Sequence, residues 1–285
     1  MKKQLGSHVS LKAPNYFLGS VTEALENGAN SLMFYTGSPQ TTRRISIEEL
    51  KIEQGLNALK KNNISTTNLV CHAPYILNLA NEDIDKREFS ITFLAQELQR
   101  CARFNCQYIV LHPGNALKRS IDSAIESIAS ALDEVFLLNK NNDVMVLLET
   151  MAGKGTEVGR SFNEIKAIID RSKNQDRLGV CLDTCHVFDS GYDLVNDYDN
   201  VINDFEKTIG LQFLKVIHIN DSKNTLGSRK DRHENIGKGH LGIEVFSRVL
   251  NDHRLSNCIF ILETPYVDGR PIYKEEIKLL KKLIK

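Results

Sequence analysis

Eight short, almost continuously apolar stretches recur along the chain, at residues 5–9, 31–35, 67–73, 108–112, 145–149, 178–183, 213–220 and 258–263. Runs of that length, apolar throughout rather than alternating, predict strands buried on both faces, as in a parallel sheet covered by helices. Helix-period segments lie between them. The clearest carries Ile121, Ile125, Ile128, Leu132 and Val135 as one apolar stripe, with Ser120 as its expected cap. Ser161, with Glu164 three residues on, reads as a capping box opening a helix whose buried face is Ile165, Ile168 and Ile169. Val201, Ile202, Phe205 and Ile209 form a further stripe. Eight strands alternating with helices favour an α/β fold closed into a (β/α)8 TIM barrel, with an open doubly wound sheet as the competing arrangement. With no linker, no shift in composition and no low-complexity tract, residues 1–285 read as a single domain.

Charge narrows the partners. Lys plus Arg and Asp plus Glu each number 36, so the chain has no global field for a nucleic acid or a membrane. A polyanion would have to be met by a local patch or by bound cations. Apolar runs such as 144–148 and 258–262 are too short to span a bilayer. The N-terminal MKKQLGSHVS has two lysines but no apolar segment behind them, so no membrane partner and a cytoplasmic location are expected. The six cysteines (Cys71, Cys101, Cys106, Cys181, Cys185, Cys258) show no CxxC spacing, which predicts reduced, structural thiols.

What stands at the strand ends carries the chemistry. From the third strand onward the final or near-final residues are His72, His112, Glu149, Asp183, His218 and Glu263, every one a possible metal ligand. The C-terminal strand ends of a barrel converge on one mouth, where the active sites of that fold lie. Mixed imidazole and carboxylate donors suit zinc, and manganese or iron less specifically. In the stretch LGVCLDTCHVFDSGYD (178–193), Asp183 and His186 stand three apart across a strand end. That spacing predicts service to two neighbouring ions rather than to one. Cys185 between them reads as a small core-facing residue. His8, ending the first strand, is expected to line the mouth as a packing residue.

A second cluster follows the seventh strand, in HINDSKNTLGSRKDRHENIGKGHLG (218–242). Asp231 and His233 form an Asp-x-His pair that with His186 would make a further site, and Lys223, Arg229 and Arg232 could meet phosphate in a loop hanging over the mouth. The formal GxGxxG match at Gly237, Gly239 and Gly242 does not join a strand to a helix in a dinucleotide-binding unit, so that reading is rejected. His240 and His253 read as surface histidines. The donors then number nine, five His, two Asp and two Glu. That is too many for one zinc and suits three, if one carboxylate bridges. Clustered divalent cations are a device for displacement at phosphorus.

These motifs resemble the endonuclease IV family, the family 2 apurinic/apyrimidinic (AP) endonucleases of base-excision repair. CHAPYILNL (71–79), LGVCLDTCHVFDSGYD and HINDSKNTLGSRKDRHENIGKGHLG carry the match, supported by GSHVS, FYTGSPQTTRR, LHPG, LLETMAGKGTEVG and LETP, almost end to end. The resemblance implies a TIM barrel with three zinc ions. His72, His112 and Glu149 would hold the first; Glu149 would bridge to a second held also by Asp183, His218 and Glu263; His186, Asp231 and His233 would hold the third. It further implies hydrolysis of the phosphodiester 5′ to an abasic site in double-stranded DNA, leaving a 3′-hydroxyl and a 5′-deoxyribose phosphate. A metal-bridging hydroxide is the implied nucleophile, and Glu149 and Glu263 carry the catalysis. Tyr75 is implied as a wedge in the DNA, with Arg43 and Arg44 as phosphate-contacting or groove-inserting residues. A monomer is expected.

Two rivals remain at this level. A xylose-isomerase-like sugar isomerase would use two divalent metals and have no need of the third site, so metal stoichiometry separates it. A protein that only stores metal or retains damaged DNA would bind without incision.

Overall fold

The computed structural model describes residues 3–285, so Met1 and Lys2 of the N-terminal stretch lie outside the described residues. The eight apolar runs become eight parallel strands in one closed barrel: β1 (Gln4–His8), β2 (Ser31–Phe34), β3 (Leu69–His72), β4 (Tyr108–Leu111), β5 (Met145–Glu149), β6 (Leu178–Asp183), β7 (Leu214–His218) and β8 (Ile259–Leu262). Gly6 on β1 stands opposite Ser31 on one side and Ile261 on the other, which closes the ladder and excludes the open sheet. Outside them lie α1 (Tyr16–Glu26), α2 (Ile52–Lys61), α3 (Ile84–Arg103), α4 (Ile121–Leu137), α5 (Phe162–Arg171), α6 (Thr184–Ser190), α7 (Tyr198–Thr208), α8 (Gly242–Asn251) and α9 (Tyr273–Leu283). Among the described residues, no helix is long and apolar enough to cross a membrane.

The expected helix starts hold, with one difference. Ser120 Oγ accepts from Ser123 N, and Ser161 Oγ accepts from Glu164 N. The Glu164 carboxylate, however, reaches past the cap to the amides of Gly159 and Arg160, so it anchors the incoming loop instead of completing a reciprocal box. Residues 67–68, expected in the third strand, lie in a 3₁₀ turn that Ser65 caps.

Strand alternation places the site. Val70, Val110, Leu147, Cys181, Val216 and Ile261 form the core inside the barrel, while their chain neighbours pack outward under the helices. Successive side chains of a strand point to opposite faces, so the next inward position is two residues on. Counting two from those six residues reaches His72, His112, Glu149, Asp183, His218 and Glu263. The donors are the top layer of the barrel interior, where the apolar filling ends. His112 and Glu263 lie one residue past their strands and are freed from the ladder.

Candidate metal centre

Glu149 stands at the middle of the site and is 1% exposed. Its Oε2 lies 3.2 Å from both His72 Nε2 and His112 Nε2; its Oε1 lies 3.1 Å from His218 Nδ1 and 3.3 Å from His186 Nδ1. Glu263 Oε2 approaches His218 Nδ1 at 3.0 Å. Asp231 Oδ1 is 3.0 Å from His186 Nε2 and 3.8 Å from His233 Nε2. Three sets of donor atoms result, each with all its members within 4.8 Å of one another: His72, His112 and Glu149; Glu149, Asp183, His218 and Glu263; and Asp183, His186 and His233.

The last set corrects the expectation for Asp183 and His186, which can reach one ion together. Helix α6 starts directly at the strand end, with Asp183 as its N-cap accepting from His186 N at 2.9 Å. The cap turns the third helical residue back over the aspartate. Asp183 Oδ2 also lies 3.5 Å from His233 Nε2 and 3.8 Å from His218 Nδ1, so this carboxylate borders two sets.

The donor set fits divalent cations on its own chemistry. His233 Nε2 is buried without a hydrogen-bond partner, facing oxygens of Asp183 and Asp231 that are too distant to bond it. A cation among them would satisfy all three groups, and buried nitrogens otherwise rarely go unpaired. The other ring nitrogens are oriented for this. His72 Nδ1 donates to Ala73 O at 2.7 Å, His186 Nδ1 to Thr150 O at 2.9 Å and His233 Nδ1 to Glu263 O at 3.2 Å, which leaves each Nε2 as the donor to a metal. Burial pushes the Glu149 carboxyl up, but the imidazoles of His218 and His112 outweigh it and hold the group well below its ordinary range. Burial likewise opposes charge on His186, yet Asp183 and Asp231 beside it raise it well above an ordinary histidine. Asp231 is brought to about 2 against its own burial, chiefly by His186. Protons and divalent cations therefore compete for the same imidazoles.

Several residues that sequence reasoning left unassigned hold this arrangement. Asn220 Nδ2 donates to Asp183 Oδ2 at 2.7 Å while its Oδ1 accepts from Glu263 N at 2.8 Å, tying two donors from different strands. Thr150 Oγ1 accepts from Asp183 N. Buried Asp189 accepts from Ser222 Oγ, Asn224 Nδ2 and Asp231 N, which steers the loop after β7 back toward the mouth. Ser222 then pairs with His233 in a short antiparallel ribbon. Their only signal in the sequence was their place within the long motifs.

The glycine-rich run has a structural explanation. Both oxygens of buried Asp221 accept backbone amides: Ser222 N and Leu241 N on Oδ1, Gly237 N and Gly239 N on Oδ2. A Cβ at Gly239 would meet Ser222 O at 2.2 Å and Asp221 Oδ1 at 2.5 Å, so only glycine lets the chain approach its carboxylate. Asp221→Ala strands these amides around a buried void. It is expected to cost about 3 kcal/mol or more, read as a lower denaturant midpoint, whereas a midpoint near that of the wild type would show the loop to be held otherwise.

The candidates for DNA contact separate in the structure. Tyr75 is 46% exposed beside the mouth, and Arg43, Lys223, Arg229 and Arg232 are exposed. Arg44 is a correction. Its side chain is 11% exposed, Nε is 2.7 Å from buried Glu97 Oε1, and the guanidinium lies 4.7 Å from the Phe93 ring centroid. It anchors the 37–45 loop to α3 and is not free for a phosphate. Cys185 is buried and belongs to none of the donor sets, in keeping with a core-facing role. His240 and His253 are exposed. His8 packs on Tyr35 and Tyr35 on His72, with ring centroids 5.0 and 5.1 Å apart, and burial brings the His8 imidazole down to about 4.

Similarity to known proteins agrees with this architecture. A family model described as a xylose isomerase-like TIM barrel matches residues 21–283. A protein of Aster yellows witches'-broom phytoplasma named "Probable endonuclease 4" is 49% identical over 278 residues, covering 97% of this chain and 95% of the relative. The crystal structure of endonuclease IV from Thermus thermophilus superposes with a TM-score of 0.86 at 29% identity, covering 98% of each chain. A D-tagatose 3-epimerase-like protein, with a TM-score of 0.72 at 16% identity over 98% of this chain and 96% of its own, shares the fold alone. With a relative this similar over nearly its whole length and a family model spanning most of the barrel, the chain belongs to the endonuclease IV family within the xylose isomerase-like TIM barrels.

Proposed function

We propose that this protein is an AP endonuclease that hydrolyses the phosphodiester 5′ to an abasic site in double-stranded DNA, leaving a 3′-hydroxyl and a 5′-deoxyribose phosphate. The observation that carries the reading is Glu149, whose two oxygens face imidazoles on either side within a field of nine donors. His72, His112 and Glu149 would hold one zinc, Glu149, Asp183, His218 and Glu263 a second, and His186, Asp231 and His233 a third. Bound there, the ions would supply Lewis acidity at a phosphoryl group and activate a water for attack. Asp183, on the border of two sets, would set the spacing between the second and third positions.

Charge favours this over the sugar-isomerase alternative. The site holds four carboxylates, Glu149, Asp183, Asp231 and Glu263. Three dications leave it about two charges positive, whereas two leave it neutral. A net positive mouth suits a phosphodiester in a chain whose overall charge is zero. Glu263, with a side chain 17% exposed at the rim, would accept or return a proton at Oε2. Exposed Tyr75 can fill the gap left by an absent base, and Arg43, Lys223, Arg229 and Arg232 can meet the backbone.

The test is incision of an end-labelled duplex bearing one abasic residue, with the new 3′ end challenged by a polymerase. Extension of the product is expected. An intact duplex with zinc-loaded protein, or conversion of an aldose to a ketose instead, would overturn the reading. The two arginines supply a finer check. Arg43→Ala should lower the salt dependence of DNA binding by about one phosphate contact and leave stability unchanged. Arg44→Ala should cost about 3 kcal/mol of stability, because buried Glu97 loses its ion-pair partner and keeps only the Thr36 hydroxyl on its other oxygen. Melting curves and salt titrations of the two variants distinguish these outcomes, and a reversed pattern would contradict the placement of both side chains.

A further inference from the structure

A second group of soft donors lies apart from the mouth, on the outer side of the barrel wall. Cys71 on β3, Cys101 on α3 and Cys106 just before β4 bring their sulfurs within 4.8 Å of one another. All three are buried, Cys106 at 2% exposure and the others at 0%. Cys71 directly precedes His72, so strand alternation sends its side chain out toward the helices while His72 faces inward. The trio thus shares a strand with the candidate metal centre but not a face. Its thiols donate to backbone carbonyls alone: Cys106 Sγ to Leu69 O at 3.1 Å and Tyr108 O at 3.3 Å, and Cys101 Sγ to Cys106 O and Tyr108 O at 3.6 Å. A cavity of about 400 Å³ opens onto Cys106 at the N-terminal ends of β4 and β5, between Ala102, Asn105, Tyr108, Asn142 and Met145. The expectation of reduced, structural thiols did not extend to this convergence, because it depends on α3 packing against the barrel wall.

Spacing and burial select what such a trio can hold. Three sulfurs bound at about 2.3 Å to one pyramidal centre stand about 3.5 Å apart, within reach of side-chain rotation for sulfurs that already lie within 4.8 Å of one another. A dication on three thiolates would leave a net negative charge in an apolar layer, which desolvation strongly opposes. A trivalent centre that releases one thiol proton for each bond formed leaves none. We propose that Cys71, Cys101 and Cys106 form a binding site for trivalent arsenic, taken up as arsenous acid. Three As–S bonds form and three As–OH bonds break; each thiol proton leaves with a hydroxyl, giving three waters. Arsenic remains trivalent and no sulfur is oxidised, so no redox partner is required.

The probe is arsenite, added to the zinc-loaded full-length protein kept reduced with a phosphine and examined by native mass spectrometry. One arsenic bound with the loss of three protons is expected. Cys106→Ala and Cys101→Ala should weaken binding at least tenfold, whereas Cys185→Ala and Cys258→Ala should bind as the wild type does. Should the first two variants fail to fold, alkylation of the wild-type chain decides: arsenite should protect Cys71, Cys101 and Cys106 against iodoacetamide and no other cysteine. No adduct on the wild type, an adduct undiminished in folded Cys106→Ala, or protection mapped to other cysteines would overturn the proposal.

Discussion

Replacing Glu149 by Gln is expected to lower incision of an abasic duplex by at least about a thousandfold. The amide keeps the shape of the side chain but removes its charge, and it turns one of the two acceptor oxygens into a donor. That oxygen now faces either His72 and His112 or His186 and His218. In either rotamer one pair of imidazoles meets an NH₂ group in place of an anion, and the shared donor between the first two metal positions is gone. Elemental analysis should show a chain depleted of metal. Glu263→Gln tests the rim separately: it leaves His72, His112 and Glu149 untouched, so incision should fall while that set keeps its ion. Near-native incision by Glu149→Gln with a full metal complement would sink the assignment of this residue and, with it, the mechanism proposed for the site.

Stripping divalent cations with a strong chelator is expected to abolish incision and to lower the melting temperature by roughly 8 °C or more. An ion present at a thousand times its dissociation constant stabilises the folded chain by about 4 kcal/mol. In a chain of this size each kcal/mol moves the midpoint by about 2 °C. The physical source is the repulsion and burial that the ions relieve, since Glu149 and Asp183 sit side by side in the same donor set and His233 Nε2 has no other partner. Zinc added back should restore both properties, with three ions bound per chain at saturation. Two per chain would favour the isomerase reading, and an unchanged melting curve after complete removal would argue that the cluster is not a metal site.

Much of the fold and of the donor layer is legible in the sequence. The count of strands and the six strand-end donors follow from local pattern, which favours a barrel, while closure itself rests on β1 pairing with both its neighbours. Each apolar run is short, and the polar residue that ends it sits where period-two alternation puts the next inward side chain, as Leu147 to Glu149 and Val216 to His218 illustrate. Even the strand ends that differed, such as the 3₁₀ turn at Thr66–Asn68, moved no donor to another face.

What the chain's own order determined, then, was the eight alternating strands and the identity of the layer at their ends, because strand periodicity is a local property that survives into the fold. Only the tertiary structure decided how those donors are shared. Asp183 and His186 converge because α6 begins without a linker and is capped by the aspartate. Arg44 turns inward because Glu97, far along the chain on α3, waits buried beneath it. Cys71, Cys101 and Cys106 meet because that same helix crosses β3 and β4. For Arg44 and Cys71 the outcome hangs on a side chain's direction set by a neighbour distant in sequence, and for His186 on where the helix after β6 begins.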